Sequence, residues 1–92
     1  MAPKDALWEV VLAKPASKDF EKSPKALHPA LEECFADLER SPHRGPNVRP
    51  LTGRLRGLRR YRVGEWRVIY RIVESTRRVE VIAVLPRGGA YR

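Results

Sequence analysis

The sequence is poor in the residues that build metal centres and covalent frameworks. Its single cysteine, Cys34, excludes an intramolecular disulfide and a cysteine-based metal cluster. The two histidines, His28 and His43, have no companions at ligand or catalytic spacing, so neither a metal nor any other cofactor is expected. Long apolar runs are missing too. The longest near the N-terminus, Leu7–Ala13, is interrupted by Glu9, which argues against a signal peptide, and nothing approaches the length of a membrane span. No basic amphipathic helix is evident, so a membrane surface is not an expected partner, and the cytoplasm is the default location. Internal repeats and low-complexity stretches are absent. With 92 residues the chain suffices for one domain, residues 1–92, around one modest core.

Lysine is missing from the second half altogether. All thirteen basic residues of 44–92 are arginine, against three glutamates, whereas residues 1–43 hold six basic residues, five of them lysine, and eight acidic ones. The halves carry −2 and +10, and the whole +8. A GC-rich genome favours arginine, but that bias alone would not spare the lysines of the first half. The guanidinium offers a planar fork of donors matched to phosphate, which a lysine point charge does not. The partition therefore makes nucleic acid the leading partner.

Leu7–Ala13 reads as a first strand, rich in β-branched and aromatic residues and ended by Pro15. Ala16–Lys22 is compatible with a short helix, and Ser23-Pro24 resembles an N-cap followed by proline at the first helical position. Leu27, Leu31, Cys34, Phe35 and Leu38 form one amphipathic stripe, with Cys34 as a buried structural thiol. Pro29 either kinks this helix or starts it, and Ser41-Pro42 ends it. Residues 42–57, with three prolines and three glycines, read as an extended arginine-bearing loop. A hairpin over 58–74, turning near Gly64-Glu65, and a last strand over Arg78–Leu85 complete the chain. The expectation is an α+β domain: a mainly antiparallel four-stranded sheet with one or two N-terminal helices on one face.

The hairpin LRRYRVGEWRVIYRIVE is the most informative stretch. Side chains alternate faces along a strand, so Arg60, Arg62, Arg67 and Arg71 share one side, and Tyr61, Val63, Trp66, Val68, Tyr70 and Ile72 the other. In the last strand the same period puts Val79, Val81, Ala83 and Leu85 on the core face. Ile69, Val73, Ile82 and Val84 then share the arginine face, an apolar strip suited to partial cover by a partner's helix.

Three segments resemble the RelE branch of the RelE/ParE toxin superfamily: PLTGRLRGL at 50–58, YRVGEWRVIYRI at 61–72 and VIAVLPRGGAYR at 81–92. The sharpest parts are Arg-Val-Gly-x-x-Arg-x-x-Tyr at 62–70 and Arg-x-x-x-Tyr at 87–91. The resemblance implies a RelE-like fold and a ribosome-dependent endonuclease that cuts mRNA in the ribosomal A site and is held inactive by a cognate antitoxin protein. It assigns catalysis to Arg60, Arg62, Arg67, Arg87 and Tyr91. Some relatives carry lysine where this chain has Arg60 and Arg62.

Metal-free RNA cleavage proceeds by attack of the 2′-OH on the adjacent phosphorus with departure of the 5′-oxygen. Charge gathers on the non-bridging oxygens, which preorganised cations stabilise. Arg67 and Arg87 suit that clamp, while Arg60 and Arg62 suit flanking phosphates or a share of the same charge. Arginine stays protonated and cannot serve as the base, so Tyr91 is the candidate for proton transfer or, instead, for stacking on a nucleobase. Arg54, Arg56 and Arg59 fit general contacts to ribosomal RNA. Arg71 fits RNA, antitoxin or simply solvent. The rival readings are a ParE-like inhibitor of DNA gyrase and a catalytically inactive RNA- or antitoxin-binding module on the same fold.

Overall fold

The computed structural model describes residues 7–87. Strand β1 spans Glu9–Leu12 and helix α1 Lys14–Lys22. Pro15 lies in the first turn of α1, where its missing N–H costs no helical bond, so the residue expected to end β1 also opens the helix. Ser23 closes α1: its N–H reaches Asp19 O and Phe20 O, and its hydroxyl donates to Phe20 O at 2.6 Å. The Ser23-Pro24 pair therefore ends one helix, and a single 3₁₀ turn over Lys25–Leu27 separates it from the next. Helix α2 spans His28–Arg40 with Pro29 in its first turn. Pro29 starts the helix and does not kink it.

Strands β2 (Val48–Pro50), β3 (Arg59–Val63), β4 (Trp66–Val73) and β5 (Arg78–Pro86) complete one five-stranded sheet, ordered β1-β5-β4-β3-β2. Only β1 pairs in parallel, with β5. The fifth strand is β2, inside the segment expected to be loop. Three residues are too few to show a period, and the flanking prolines argue against a strand; Pro50 is tolerated because β2 is an edge strand. The β3–β4 turn falls at Gly64-Glu65, where Gly64 has φ +59, a left-handed conformation that a side chain would strain.

Both helices cover the same face of the sheet. Leu31, Cys34 and Leu38 of α2 and Ala16 of α1 meet Tyr61, Val68, Tyr70, Val79 and Val81, all 9% exposed or less. Burial pushes the Cys34 thiol pKa up, as suits a structural side chain. Trp66 packs against this core and Tyr70 lies within it, its hydroxyl donating to Pro42 O at 2.7 Å.

One irregularity overturns part of the strand-parity reading. Ile69 pairs with Ala83, but Tyr70 pairs with Val81, so Ile82 is an extra residue in β5. Beyond this bulge the faces exchange. Val84, expected outside, is 2% exposed within the core, and Ala83 and Leu85, expected inside, share the outer face with Arg67. Past the end of β1 the Val84 N–H is satisfied by Asp19 Oδ2 of α1 at 2.9 Å. The expected apolar strip shrinks accordingly: Val84 leaves it, and Ile69 is already 4% exposed within the chain.

Candidate functional site

The outer face of the sheet, opposite the helices, is built from two cross-strand rows. Arg62 of β3 stands opposite Arg67 of β4, and Arg67 opposite Leu85 of β5. Next to it, Arg49 of β2 stands opposite Arg60, Arg60 opposite Ile69, and Ile69 opposite Ala83. Arg87 enters from beyond β5: its N–H donates to Glu65 O at 2.7 Å, extending the ladder past the Trp66–Pro86 pair. Arg60, Arg62, Gly64, Arg67 and Arg87 line one small cleft of about 120 Å³ at the turn end of the hairpin.

Backbone carbonyls position two of these arginines. Arg60 Nη1 donates to Asn47 O at 3.0 Å, the carbonyl that also accepts the Arg62 N–H at 2.9 Å. Arg62 Nε leans toward Gly64 O at 3.4 Å, and Arg87 Nη1 toward Glu65 Oε1 at 3.4 Å. The last pair is largely exposed and contributes little to stability, but it limits where the Arg87 guanidinium can go. Four guanidinium groups around one recess repel one another. A polyanion entering that recess relieves the repulsion and finds donors already aimed at it, the arrangement that favours charge developing on phosphate oxygens.

The structure thus brings together Arg60, Arg62, Arg67 and Arg87 of the sequence-predicted set. Tyr91, the candidate for proton transfer, lies outside the described residues. Arg71 shares the outer face but is engaged with Glu80 of β5 at 2.5 Å. Arg54 and Arg56 are exposed in the β2–β3 connection, at the opposite end of β3 from the cleft. Arg59 stands opposite both Pro50 and Tyr70 and so faces the helix side, in a recess with His43, Gly57, Ile72 and Glu74. His43 Nε2 is hydrogen-bonded to Glu74 Oε2 at 2.6 Å, which gives both residues a local structural role. Among the described residues no three His, Cys, Asp or Glu side chains gather as a metal site, and no helix is long and apolar enough to cross a membrane.

Sequence reasoning missed two residues of this region and the partner of a third. Asn47 and Arg49 lie in the segment taken as loop, where no face can be assigned. Glu65 is visible as a turn carboxylate, but its contact with Arg87 depends on β5 ending beside the turn. A larger recess, about 380 Å³, opens on the helix side between α2 and β2. It contains Asp37, which accepts a hydrogen bond from Tyr61 Oη at 2.5 Å, and none of the sequence-predicted site residues. The smaller cleft is therefore the better candidate for phosphate chemistry.

A family profile described as the ParE toxin of the type II toxin–antitoxin system parDE matches residues 10–91. The chain is 34% identical over 89 residues to Toxin RelE of Mycobacterium tuberculosis, covering 96% of this chain and 90% of that protein. The fold is similar to a chain of the RelBE2 toxin–antitoxin complex of the same organism, with TM-score 0.79, 32% identity, and coverage of 88% of this chain and 99% of that one. It is also similar to a chain of the RelE–RelB complex from Pyrococcus horikoshii, with TM-score 0.77, 29% identity, and coverage of 91% and 99%. A sheet with helices packed on one face is the fold these chains share. The chain belongs to the ParE/RelE family of toxins from type II toxin–antitoxin systems, and its curated relative is a RelE.

Proposed function

We propose that this toxin is a ribosome-dependent endoribonuclease that cuts mRNA in the ribosomal A site and is neutralised by a cognate antitoxin. The observation that carries the reading is the convergence of Arg60, Arg62, Arg67 and Arg87, from three separate segments, on one cleft. The RelBE2 and RelE–RelB complexes among its structural relatives support an antitoxin partner. In the proposed reaction the 2′-oxygen attacks the adjacent phosphorus and gives up its proton. The 5′-oxygen leaves and gains one, so the products are a 2′,3′-cyclic phosphate and a 5′-hydroxyl end, with no metal required. Arg67 and Arg87 neutralise the non-bridging oxygens as charge builds there. Arg60 and Arg62, held to backbone carbonyls, bind the flanking phosphates and keep the attacking and leaving oxygens in line. Tyr91, which the resemblance places among the catalytic residues, is the candidate for proton transfer or, instead, for stacking on a nucleobase.

The profile that matches carries the ParE name, which keeps gyrase inhibition as the second reading. A gyrase inhibitor has no need of four arginines around a phosphate-sized cleft. Expression followed by primer extension separates the two: cuts inside translated codons are expected, and uncut mRNA together with blocked DNA gyrase would establish the rival.

A further inference from the structure

The outer face is not uniformly cationic, and the difference assigns a direction to the bound RNA. Toward β1, Arg71 and Arg78 each have a glutamate within ion-pair distance across a strand pair. Arg71 contacts Glu80 at 2.5 Å, and Arg78 contacts Glu9 at 3.6 Å. On the β2 side the pattern stops. Arg49 is exposed and points to the same face as Arg60, its direct partner in register. Among the described residues, no carboxylate lies within ion-pair distance of it.

From this asymmetry we infer that the RNA strand leaving the cleft runs across β2, away from β1, and that Arg49 holds a phosphate there. The inference rests on the proposed nuclease reading and adds a residue and a path to it. Adjacent strands stand about 4.8 Å apart, and the Arg49–Arg60 row lies two residues, roughly 7 Å, along β3 from the Arg62–Arg67 row. Arginine side chains on such a grid reach successive phosphates of an extended single strand. In the other direction the two rows continue over Leu85 and Ala83 of β5, which offer no cation, and the arginines farther along that side of the sheet, Arg71 and Arg78, lie within ion-pair distance of Glu80 and Glu9. Pro50 ends β2 on the sheet's free edge, so no further strand is expected to cover Arg49 by continuing the ladder. Arg49 is a positioning residue: it grips RNA outside the reacting centre.

The test uses ribosomes programmed with a short mRNA, in a cleavable form and in a form with a 2′-O-methyl group at the A-site codon, which binds without being cut. Arg49→Ala is expected to raise KM on the first and Kd on the second about tenfold, the loss of one charge-assisted contact, with kcat little changed. The salt slope of binding should fall by about 0.7, one phosphate contact to a single strand. Arg49→Lys should recover most of both, and Arg78→Gln should change neither. On ribosomes whose mRNA ends at the P-site codon, the Arg49→Ala effect should vanish. Wild-type Kd and salt slope in Arg49→Ala would overturn the inference. So would equal weakening by Arg78→Gln, or an Arg49→Ala effect that persists on the truncated mRNA, which would place the contact on ribosomal RNA. If the wild-type protein binds but cuts nothing, the nuclease reading fails, while binding to the uncleavable mRNA still decides the role of Arg49.

Discussion

The two faces of the β3–β4 hairpin are made from alternate residues of one stretch, yet they meet opposite physical demands. On the helix side Tyr61, Val63, Val68 and Tyr70 are 9% exposed or less, and both tyrosine hydroxyls are satisfied, by Asp37 and by Pro42 O. Desolvation raises both phenol pKa values, that of Tyr61 to about 12. On the outer side the arginines stay in reach of water, and what matters is how many cations share a small recess. One face contributes stability and the other gathers charge that the fold alone does not need. Substitutions on the two faces should therefore separate folding from activity.

The largest expected effect is on the outer face. Arg67→Ala and Arg87→Ala should each lower cleavage of A-site mRNA by about 10²–10³-fold, with Tm changed by no more than about 2 °C and antitoxin binding retained. Full cleavage by either variant would remove the clamp from the mechanism. The bulge in β5 makes the next contrast. Val84→Ala should cost about 2 kcal/mol in denaturant unfolding, and Leu85→Ala clearly less, although regular alternation predicts the reverse order.

Tyr61→Phe tests the helix side with a smaller change, about 1 kcal/mol near neutral pH from the lost bond to Asp37. Its pH dependence has a definite sign. The Tyr61 pKa is raised on folding, so the native state holds that proton more tightly than the unfolded chain. The associated stability is complete below about pH 10 and declines as pH rises toward 12. Thermal melts from pH 9 to 12 should show a shallower alkaline loss in Tyr61→Phe than in the wild type. A parallel loss in the two proteins would remove Tyr61 from the alkaline transition. The smallest effect belongs to Glu65→Gln, which releases an exposed partner of Arg87 and should change kcat/KM only a few-fold with Tm unaltered.

Much of this was readable in advance. The alternation over 58–74 placed Arg60, Arg62 and Arg67 on one face and Tyr61, Val68 and Tyr70 on the other, because a strand leaves no third option. The amphipathic stripe of α2 was equally plain: Leu31, Cys34 and Leu38 lie buried at helical spacing. What escaped was short or non-local. β2 has too few residues to display a period, so Arg49 had no face and Asn47 no role. The bulge at Ile82 leaves no mark in composition, and one extra residue suffices to exchange the faces of Ala83, Val84 and Leu85. Arg59, by contrast, has the parity of Tyr61, so the alternation itself turns it to the helix side.

By itself the sequence determined the two-faced hairpin, the helix stripe and the concentration of arginine in the second half. These follow from local periodicity and residue chemistry, which act over a few positions and need no knowledge of the rest of the chain. The tertiary structure decided which cations share a cleft. Arg87 joins Arg67 only because β5 ends beside the Gly64-Glu65 turn, and Arg49 joins Arg60 only because β2 pairs with β3. It also decided which arginines remain available, since Glu80 and Glu9 reach Arg71 and Arg78 across strand pairs. Electrostatic fields add over space and not along the chain, so a binding surface is defined only once strands distant in sequence lie side by side.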